Sequence, residues 1–165
     1  MIEDYQIPLD EYPRRCIKQI EGWNQEKDSI LMDGAITHTR SLEYASYIME
    51  AIATNQPYKI GGNVLNHGLI DNLPAEACVE VPCLVDGSGI TPCHVGALPT
   101  QLAAMNLSNI SVQLLTIEAA RSRDRRTIYQ VAMMDPHTAA ELNIPDIIAM
   151  CDELIAAHGE YMKEY

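Results

Sequence analysis

The chain has 165 residues, a formal net charge of −12 and a hydrophobic share of 47%, which together predict a single globular domain over residues 1–165. This acidic balance argues against nucleic acid and anionic membranes as partners, because phosphate binding needs clustered Lys and Arg. No apolar run approaches the roughly 20 residues of a membrane span, and the N-terminus lacks a basic, apolar signal sequence. We therefore expect a cytoplasmic protein whose five cysteines are reduced thiols.

The first predicted helix begins near Asp10, a residue suited to the N-cap, and Pro13 lies early enough to be tolerated in its first turn. Four residues at helical spacing are predicted to form its buried face: Cys16, Ile17, Ile20 and Trp23. Residues 27–38 lose this periodicity, and we expect a loop there.

A second helix is predicted from Ser41, because apolar residues recur at helical spacing along SLEYASYIMEAIATN. Asn55 and Pro57 end it, and residues 58–60 are predicted to begin a strand. That strand leads into a segment with little charge and many turn-forming residues. Its polar side chains are Asn63, Asn66, His67 and Asn72.

A β-hairpin is predicted next, from two β-type runs over residues 77–85 and 90–95 that are joined by Asp86-Gly87-Ser88-Gly89. With a four-residue turn, Cys83 faces Pro92, and the thiols of Cys83 and Cys93 point to opposite faces of the ribbon. A three-residue turn would instead bring Cys83 opposite Cys93.

The longest predicted helix runs from Pro99 to about Arg121. Two apolar rows flank a neutral polar row along this helix. The polar row consists of Asn106, Asn109, Gln113 and Thr116. Because no charged residue occurs from Pro99 to Ile117, we expect this helix to be buried or nearly so.

The C-terminal third is predicted to be helical after a charged surface turn at residues 122–126. One helix is expected over residues 124–134. Asp135 then caps a short helix that Pro136 begins, and Pro145 opens the last helix.

Two ligand motifs are weak in this sequence. A zinc site would need Cys78, Cys83, Cys93 and His94, but their spacing has no close pair of the CxxC kind that zinc sites use. We expect half-buried or buried thiols there. The run from Gly87 to Gly89 begins a GxGxxG-like pattern, but Pro92 occupies the third glycine position and a strand is expected where a helix should follow.

The density of amides is the most informative polar feature. An amide both donates and accepts, so it suits sugar hydroxyls, and it equally well satisfies loop backbone groups in a packed domain. The cluster at residues 63–72, together with the polar row of the long helix, favours a polar cavity or a polar interface.

These residues carry a resemblance. The segments GGNVLNHGLIDNLPAEACVEVPCLVDGSGITPCHVGALP and TQLAAMNLSNISVQLLTIEAA resemble the C-terminal part of family 4 glycoside hydrolases, the NAD- and metal-dependent glycosidases. Flanking matches are RSLEYASYIMEAI upstream and YQVAMMDPHTAAEL downstream. The Pro92-Cys93-His94 sequence and the early DEYPRRC are most similar to the α-galactosidase branch.

The resemblance implies a fold and a division of labour. It implies an α+β fold, with a small, mainly antiparallel sheet packed with about five helices, as in the C-terminal domain of the lactate dehydrogenase superfamily. In the family, a Rossmann half holds NAD, a divalent metal such as Mn and the catalytic residues, and this chain shows no dinucleotide fingerprint of its own. We therefore expect residues 1–165 to match the C-terminal half alone, without the Rossmann domain, cofactor or metal site. Three origins of such a chain are compatible with the sequence: an excised domain, a truncated gene product and one half of a split enzyme.

The first functional hypothesis is a substrate-side and oligomerisation domain of an α-galactosidase-like glycosidase, inactive as an isolated chain. It predicts a homodimer or a separate Rossmann half as partner, and an α-galactoside as the sugar. The predicted sugar contacts are Asn63, Asn66, His67, Asn72, Arg14 and Arg15. A stand-alone oligomerisation or interaction module without sugar binding is the alternative, and a thiol or metal protein is a third hypothesis.

Overall fold

The computed structural model describes residues 3–33 and 39–165, which form parts of two compact units, Met1–Glu43 and Tyr44–Tyr165. The first unit is dominated by one helix, α1 (Glu11–Asp33). Arg14 pairs with Asp10 at 3.2 Å and Arg15 with Glu11 at 3.9 Å, each one turn earlier in the chain. Such exposed pairs each stabilise a helix by a few tenths of a kcal/mol, roughly 0.3–0.5.

Two predictions about this helix were wrong. The chain stays helical through Asp33, where a loop was expected, because Gln25, Glu26 and Lys27 are strong helix formers even after the apolar periodicity ends. Residues 34–38 of the predicted loop lie outside the described residues. The predicted buried face is also largely exposed, with Ile17 57% and Trp23 60% accessible.

The second unit contains five helices and a three-stranded antiparallel sheet of order β1-β2-β3. Its elements are α2 (Ala45–Thr54), β1 (Tyr58–Leu65), β2 (Cys78–Asp86), β3 (Gly89–Pro92), α3 (Thr100–Ser122), α4 (Arg125–Met134), α5 (Pro136–Glu141) and α6 (Ile144–His158). A 3-10 turn at Gly159–Met162 follows. The predicted α+β class is confirmed. No helix within residues 3–33 and 39–165 is long and apolar enough to cross a membrane.

The hairpin has the register that a four-residue connection predicts. Cys83 pairs with Pro92, and Asp86 pairs with Gly89 across the turn. Gly89 adopts a φ of +110°, in a region that side chains rarely occupy. The backbone N–H of Cys93 donates to the Pro82 carbonyl, so the Cys83 and Cys93 side chains point to opposite faces of the ribbon. The alternative three-residue turn is excluded.

The core lies on one face of the sheet. Inward-facing residues of β2 alternate with exposed ones, and Val81, Cys83 and Val85 are each at most 1% accessible. Gly62 on β1 lies against this row, and a Cβ there would be 2.7 Å from Cys83 Sγ. The core is completed from the loop after β1 and from α3, by Ile70, Leu73, Ala77, Ala103 and Ile110.

Helix α3 is less buried than its uncharged sequence predicts. Only Ala103, Ile110 and Ala119 are buried along it, whereas Met105 is 66% and Ile117 54% accessible. Ala103 and Ile110 pack into the core beside the sheet, and Ala119 lies near the C-terminal end of α3, which contacts α4. Many of the other apolar side chains of the helix stay exposed among the described residues. The expectation of a nearly buried helix was therefore wrong.

The C-terminal helices begin at or within one residue of their predicted starts, and each has a capping side chain. Asp124 accepts from the Arg126 N–H, Asp135 from the Thr138 N–H and Asn143 from the Asp146 N–H. Each cap satisfies an N–H that has no partner inside its own helix. These local bonds lower the pKa of Asp124, chiefly through Arg126, and of Asp135, chiefly through Thr138.

A three-residue polar cluster joins α4 to α6. The Tyr129 hydroxyl donates to Asp152 Oδ1 at 2.6 Å, and the Arg125 guanidinium donates to the same oxygen at 2.7 Å and to the Tyr129 hydroxyl at 2.7 Å. The Tyr129 bond, followed by the Arg125 bond, holds the pKa of Asp152 below its usual range. The cluster therefore stabilises the α4–α6 contact while Asp152 is ionised.

Replacing Asp152 by Asn is expected to lower the free energy of unfolding at neutral pH by an amount that disappears in acid. A carboxyl whose folded pKa is depressed contributes stability above its unfolded pKa, about 3.9, and that contribution is lost as pH falls through the folded value. Urea titrations of the wild type and Asp152→Asn at several pH values check this. Tyr129→Phe serves as a control that keeps the charge. A difference between wild type and Asp152→Asn that persists unchanged well below pH 4 would contradict the assignment.

Candidate functional site

The amide-rich loop after β1 is organised around the buried side chain of Asn66. Its Oδ1 accepts from the Ile70 N–H at 2.7 Å, and its Nδ2 donates to the carbonyls of Ile70 (2.9 Å), Leu73 (2.9 Å) and Pro74 (3.1 Å). The residue is 0% accessible. Both of its N–H groups are engaged, so the Asn66 amide holds the loop together and does not face a sugar, which corrects its predicted role.

Asn72 ties the same loop to the start of α3. Its Oδ1 accepts from the Leu98 N–H at 2.9 Å and its Nδ2 donates to the Leu98 carbonyl at 2.8 Å. The side-chain amide thus pairs with the Leu98 backbone as the backbone of a neighbouring strand would. The Leu69 carbonyl accepts from the Val95 N–H at 2.8 Å, and His94 Nε2 lies 2.8 Å from Asp71 Oδ1. Residues 69–72 and 94–98 are therefore held side by side by hydrogen bonds.

Asn63 and His67 have exposed side chains, unlike Asn66. Asn63 lies on the outer face of β1, where its Cα partner across the ladder is Glu80. His67 has a φ of +41°, which is uncommon for a residue with a side chain, and its N–H donates to the Ala75 carbonyl at 3.1 Å. The turn thus presents the imidazole outside the core.

The outer face also carries Glu80, which the sequence reasoning did not single out. Its side chain lies across Gly61, where a Cβ would be 2.8 Å from Glu80 Oε1. The Glu80 carboxylate makes no hydrogen bond or ion pair with the described residues. The sequence signal that could have indicated Glu80 is Gly61 in the neighbouring strand, because a glycine in a strand interior often marks a place where another group approaches closely.

A groove of about 320 Å³ lies between β2 and α3. This volume is at the lower end of ligand pockets, roughly 300–1,000 Å³. Its polar lining residues are Cys78, Glu80, Asn106, Asn109 and Gln113, and its apolar ones are Ile70, Leu73, Val79, Leu98 and Ile110. Three members of the α3 polar row thus line a polar cavity, one of the two settings that their sequence pattern favours.

The predicted amides shape this groove without lining it. Asn66 fixes the backbone of Ile70 and Leu73, and Asn72 fixes that of Leu98, and all three held residues line the groove. The groove's own amides keep free acceptor atoms. Asn106 donates to the Leu102 carbonyl and Asn109 to the Met105 carbonyl, so the carbonyl oxygens of both side chains remain available.

The remaining predicted residues do not converge in the second unit. Arg14 and Arg15 belong to the first unit, where each forms the ion pair described above. Cys83 is buried with its thiol 3.4 Å from the Val81 carbonyl, whereas Cys78 and Cys93 are exposed. Among residues 3–33 and 39–165, no three His, Cys, Asp or Glu side chains come together as a metal site would require.

The family model for the C-terminal domain of family 4 glycosyl hydrolases matches residues 1–138. The chain belongs to this family. It is 58% identical over all 165 residues to the α-galactosidase of Bacillus subtilis, and it covers 38% of that enzyme. It is 35% identical over 129 residues to the α-galactosidase of Rhizobium meliloti, with 78% of this chain and 26% of that enzyme covered. The family 4 chain described here thus spans well under half the length of these relatives.

A solved structure supports the same fold. The 6-phospho-beta glucosidase of Thermotoga maritima, determined with manganese, NAD+ and glucose-6-phosphate, superposes with a TM-score of 0.66 at 20% identity. The match covers 87% of this family 4 chain and 36% of that enzyme. At this level of identity the likeness establishes the shared fold alone.

Replacing Asn66 by Ala is expected to lower the free energy of unfolding by about 3 kcal/mol, because it leaves several buried loop groups without partners, at roughly 1–3 kcal/mol each before relaxation. Asn63→Ala, at an exposed position three residues earlier on β1, is the matched control and should stay within about 0.5 kcal/mol of the wild type. Chemical denaturation with one probe for both variants measures the difference. Equal effects of the two substitutions would contradict the assigned role of Asn66.

Proposed function

We propose that this chain is the substrate-side and oligomerisation domain of an α-galactosidase-like family 4 glycosidase, and that it is inactive without the rest of such an enzyme. The similarity to two α-galactosidases supports the galactoside side of the proposal. The coverage of 38% of the Bacillus subtilis enzyme supports a division of labour between this domain and the remaining part.

The chemistry of the groove between β2 and α3 is the observation that carries the proposal. Its described lining has three neutral amides and one carboxylate and contains no Lys or Arg. Amides and carboxylates hydrogen-bond to sugar hydroxyls, whereas a phosphate group is held by cationic side chains. The lining therefore favours an unphosphorylated sugar such as a galactoside over a 6-phosphorylated one. Glu80 and Asn109 are the proposed contacts within the groove.

Five of the predicted sugar contacts, Asn63, His67, Asn72, Arg14 and Arg15, remain proposals. Asn72 has an exposed side chain and donates only one hydrogen bond to the described residues. Asn63 is directly opposite Glu80 in the strand ladder, which supports a contact at the rim of the groove. His67 presents an exposed imidazole from the loop that Asn66 holds. Arg14 and Arg15 are proposed as sugar contacts from the resemblance alone, because their positive charge could orient sugar hydroxyl groups.

The residues present do not fit NAD or a catalytic metal. In the only GxGxxG-like run described, strand β3 follows the turn where a dinucleotide site needs a helix. Across the part of the chain that the structure describes, no cluster of metal-ligating side chains forms. NAD and a divalent metal such as Mn are therefore proposed to be bound by another part of the enzyme, and no step of the reaction is assigned to this chain.

A chimera tests the sugar-binding role. Residues 1–165 replace the matching C-terminal region of the Bacillus subtilis α-galactosidase, and hydrolysis of a chromogenic α-galactoside is measured with NAD, Mn²⁺ and reductant. We expect turnover by the chimera and none by the isolated chain. Glu80→Gln in the chimera is expected to raise KM about tenfold, the loss of one hydrogen bond to a charged group.

Ser111→Ala is the matched control for that experiment. Ser111 is exposed on the same helix as Asn109, its hydroxyl donates to the Leu107 carbonyl, and it does not line the groove. Its substitution should leave KM unchanged. Preference of the chimera for a 6-phosphorylated glucoside, or turnover by the isolated chain well above a blank preparation, would refute the corresponding part of the proposal.

Exposed apolar side chains on α3 support the oligomerisation role. Leu102 is 44%, Met105 66% and Ile117 54% accessible, and exposed apolar side chains of this size favour association. We propose a two-fold homodimer, the commonest closed assembly, with α3 at the interface. A stand-alone interaction module without sugar binding is the alternative function, and the same surface would serve it.

Light scattering at micromolar concentration is expected to give twice the chain mass of 18.3 kDa. Met105→Glu should shift the mass toward one chain, because a charge buried at an apolar interface is unfavourable. Ser111→Glu, on the same helix, is the charge-matched control. A wild-type mass of one chain would contradict the dimer and would favour docking of this surface onto the rest of the enzyme.

A further inference from the structure

The turn of the hairpin contains an Asp-Gly dipeptide, Asp86–Gly87, which can rearrange without any enzyme. The Gly87 nitrogen can attack Cγ of the protonated Asp86 carboxyl: an N–C bond forms, the C–OH bond breaks, and the hydroxyl leaves as water with the amide proton. Water then opens the resulting five-membered succinimide at either carbonyl. One product is aspartate and the other is isoaspartate, in which the backbone runs through the side chain. The sum is an isomerisation that needs only water.

The glycine that makes this dipeptide labile lies against the side chain of Asn55. A Cβ at position 87 would lie 2.8 Å from Asn55 Oδ1 and 3.1 Å from Asn55 Cγ, so any other residue would displace the Asn55 side chain. Every other residue would also shield the amide nitrogen with its own side chain. Glycine at position 87 therefore both admits Asn55 and leaves the amide nitrogen open to reaction.

The same approach of Asn55 restrains the nucleophile. The Gly87 N–H donates to Asn55 Oδ1 at 2.9 Å, which fixes the orientation of the peptide group and keeps its proton in place. Asn55 is itself anchored, as the left-handed C-cap of α2 with a φ of +58°, and α2 contacts β2. The restraint thus comes from a neighbouring helix and not from the turn alone.

The electrophile is restrained as well. Asp86 Oδ1 accepts from the Ser88 N–H at 2.8 Å and from the Ser88 hydroxyl at 2.5 Å, so two hydrogen bonds hold the carboxylate against residue 88. These bonds to Ser88 lower the pKa of Asp86 and keep it ionised. A carboxylate is a poorer electrophile than the protonated acid, since its leaving oxygen carries no proton.

We propose that Asp86–Gly87 is a latent isoaspartate site and that Asn55 suppresses the reaction by holding the Gly87 amide. Isoaspartate would add one carbon to the backbone of the turn between β2 and β3. The Asp86–Gly89 and Val85–Ile90 pairs would then lose their alignment, and the hairpin would separate from the end of α2. This inference is independent of any glycosidase activity.

Ageing of three purified chains tests it: the wild type, Asn55→Gly and Asn55→Asp. Glycine keeps the left-handed cap and removes the acceptor, whereas Asp keeps an acceptor oxygen at the same place. Isoaspartate is measured by peptide mapping with mass spectrometry at Asp86, and by methyl transfer from S-adenosylmethionine with an isoaspartyl methyltransferase. Asn55→Gly is expected to form it about fivefold faster than the wild type, the factor of one neutral hydrogen bond, and Asn55→Asp at the wild-type rate.

Two further measurements keep the result interpretable. Asp86→Glu combined with Asn55→Gly should abolish the signal, because glutamate would need a six-membered ring. Circular dichroism and hydrogen exchange at the Gly87 amide show whether Asn55→Gly is folded with only that amide released. If the variant unfolds, the folded wild type is compared with the wild type in urea, and slower reaction in the folded chain is expected. Equal rates in folded wild type and folded Asn55→Gly, or in folded and unfolded wild type, would overturn the proposal.

Discussion

The hydrogen bonds of the Asn66 side chain are the constraint on which the candidate site depends. A loop that leaves a strand and returns to the next one must satisfy its backbone groups without a partner strand, and a buried amide does this by acting as donor and acceptor at once. Asn66 binds the backbone of Ile70, Leu73 and Pro74. The apolar side chains of that loop can then enter the core on the inner face of the sheet.

The groove follows from that loop through a second amide. Once residues 69–72 are fixed, they pair with residues 94–98, and Asn72 completes the pairing at Leu98. Leu98 immediately precedes Pro99, the N-cap of α3, so the loop sets where the long helix begins and which of its faces meets β2. Three residues of the α3 polar row then line one groove together with Glu80 and several apolar side chains.

The features that sequence predicted well are those that local chemistry decides. The hairpin was predicted with two possible turn lengths, and the register followed once the structure gave the turn length. The starts of α4, α5 and α6 were predicted to within one residue from a charged turn, the Asp135 cap and two prolines. The burial of α3 and the role of Asn66 depend on partners distant in the chain. An uncharged helix has the same sequence pattern whether its apolar rows are buried in the core or exposed at the surface. Only the three-dimensional structure shows that Met105 and Ile117 are exposed.

The asparagines show why counting amides in a sequence cannot rank binding residues. The deciding quantity is the hydrogen-bonding capacity that the fold leaves unused. Asn66 uses both N–H groups and is fully buried, and Asn72 donates once and accepts once, whereas Asn63 makes no side-chain hydrogen bond with the described residues. Unused capacity at an exposed position costs nothing in the free chain, because water supplies the partners, and a ligand hydroxyl can replace that water. By this measure Glu80 and Asn63, which are Cα partners on the neighbouring strands β2 and β1, keep more hydrogen-bonding capacity for a ligand than the amides of Asn66 and Asn72 do.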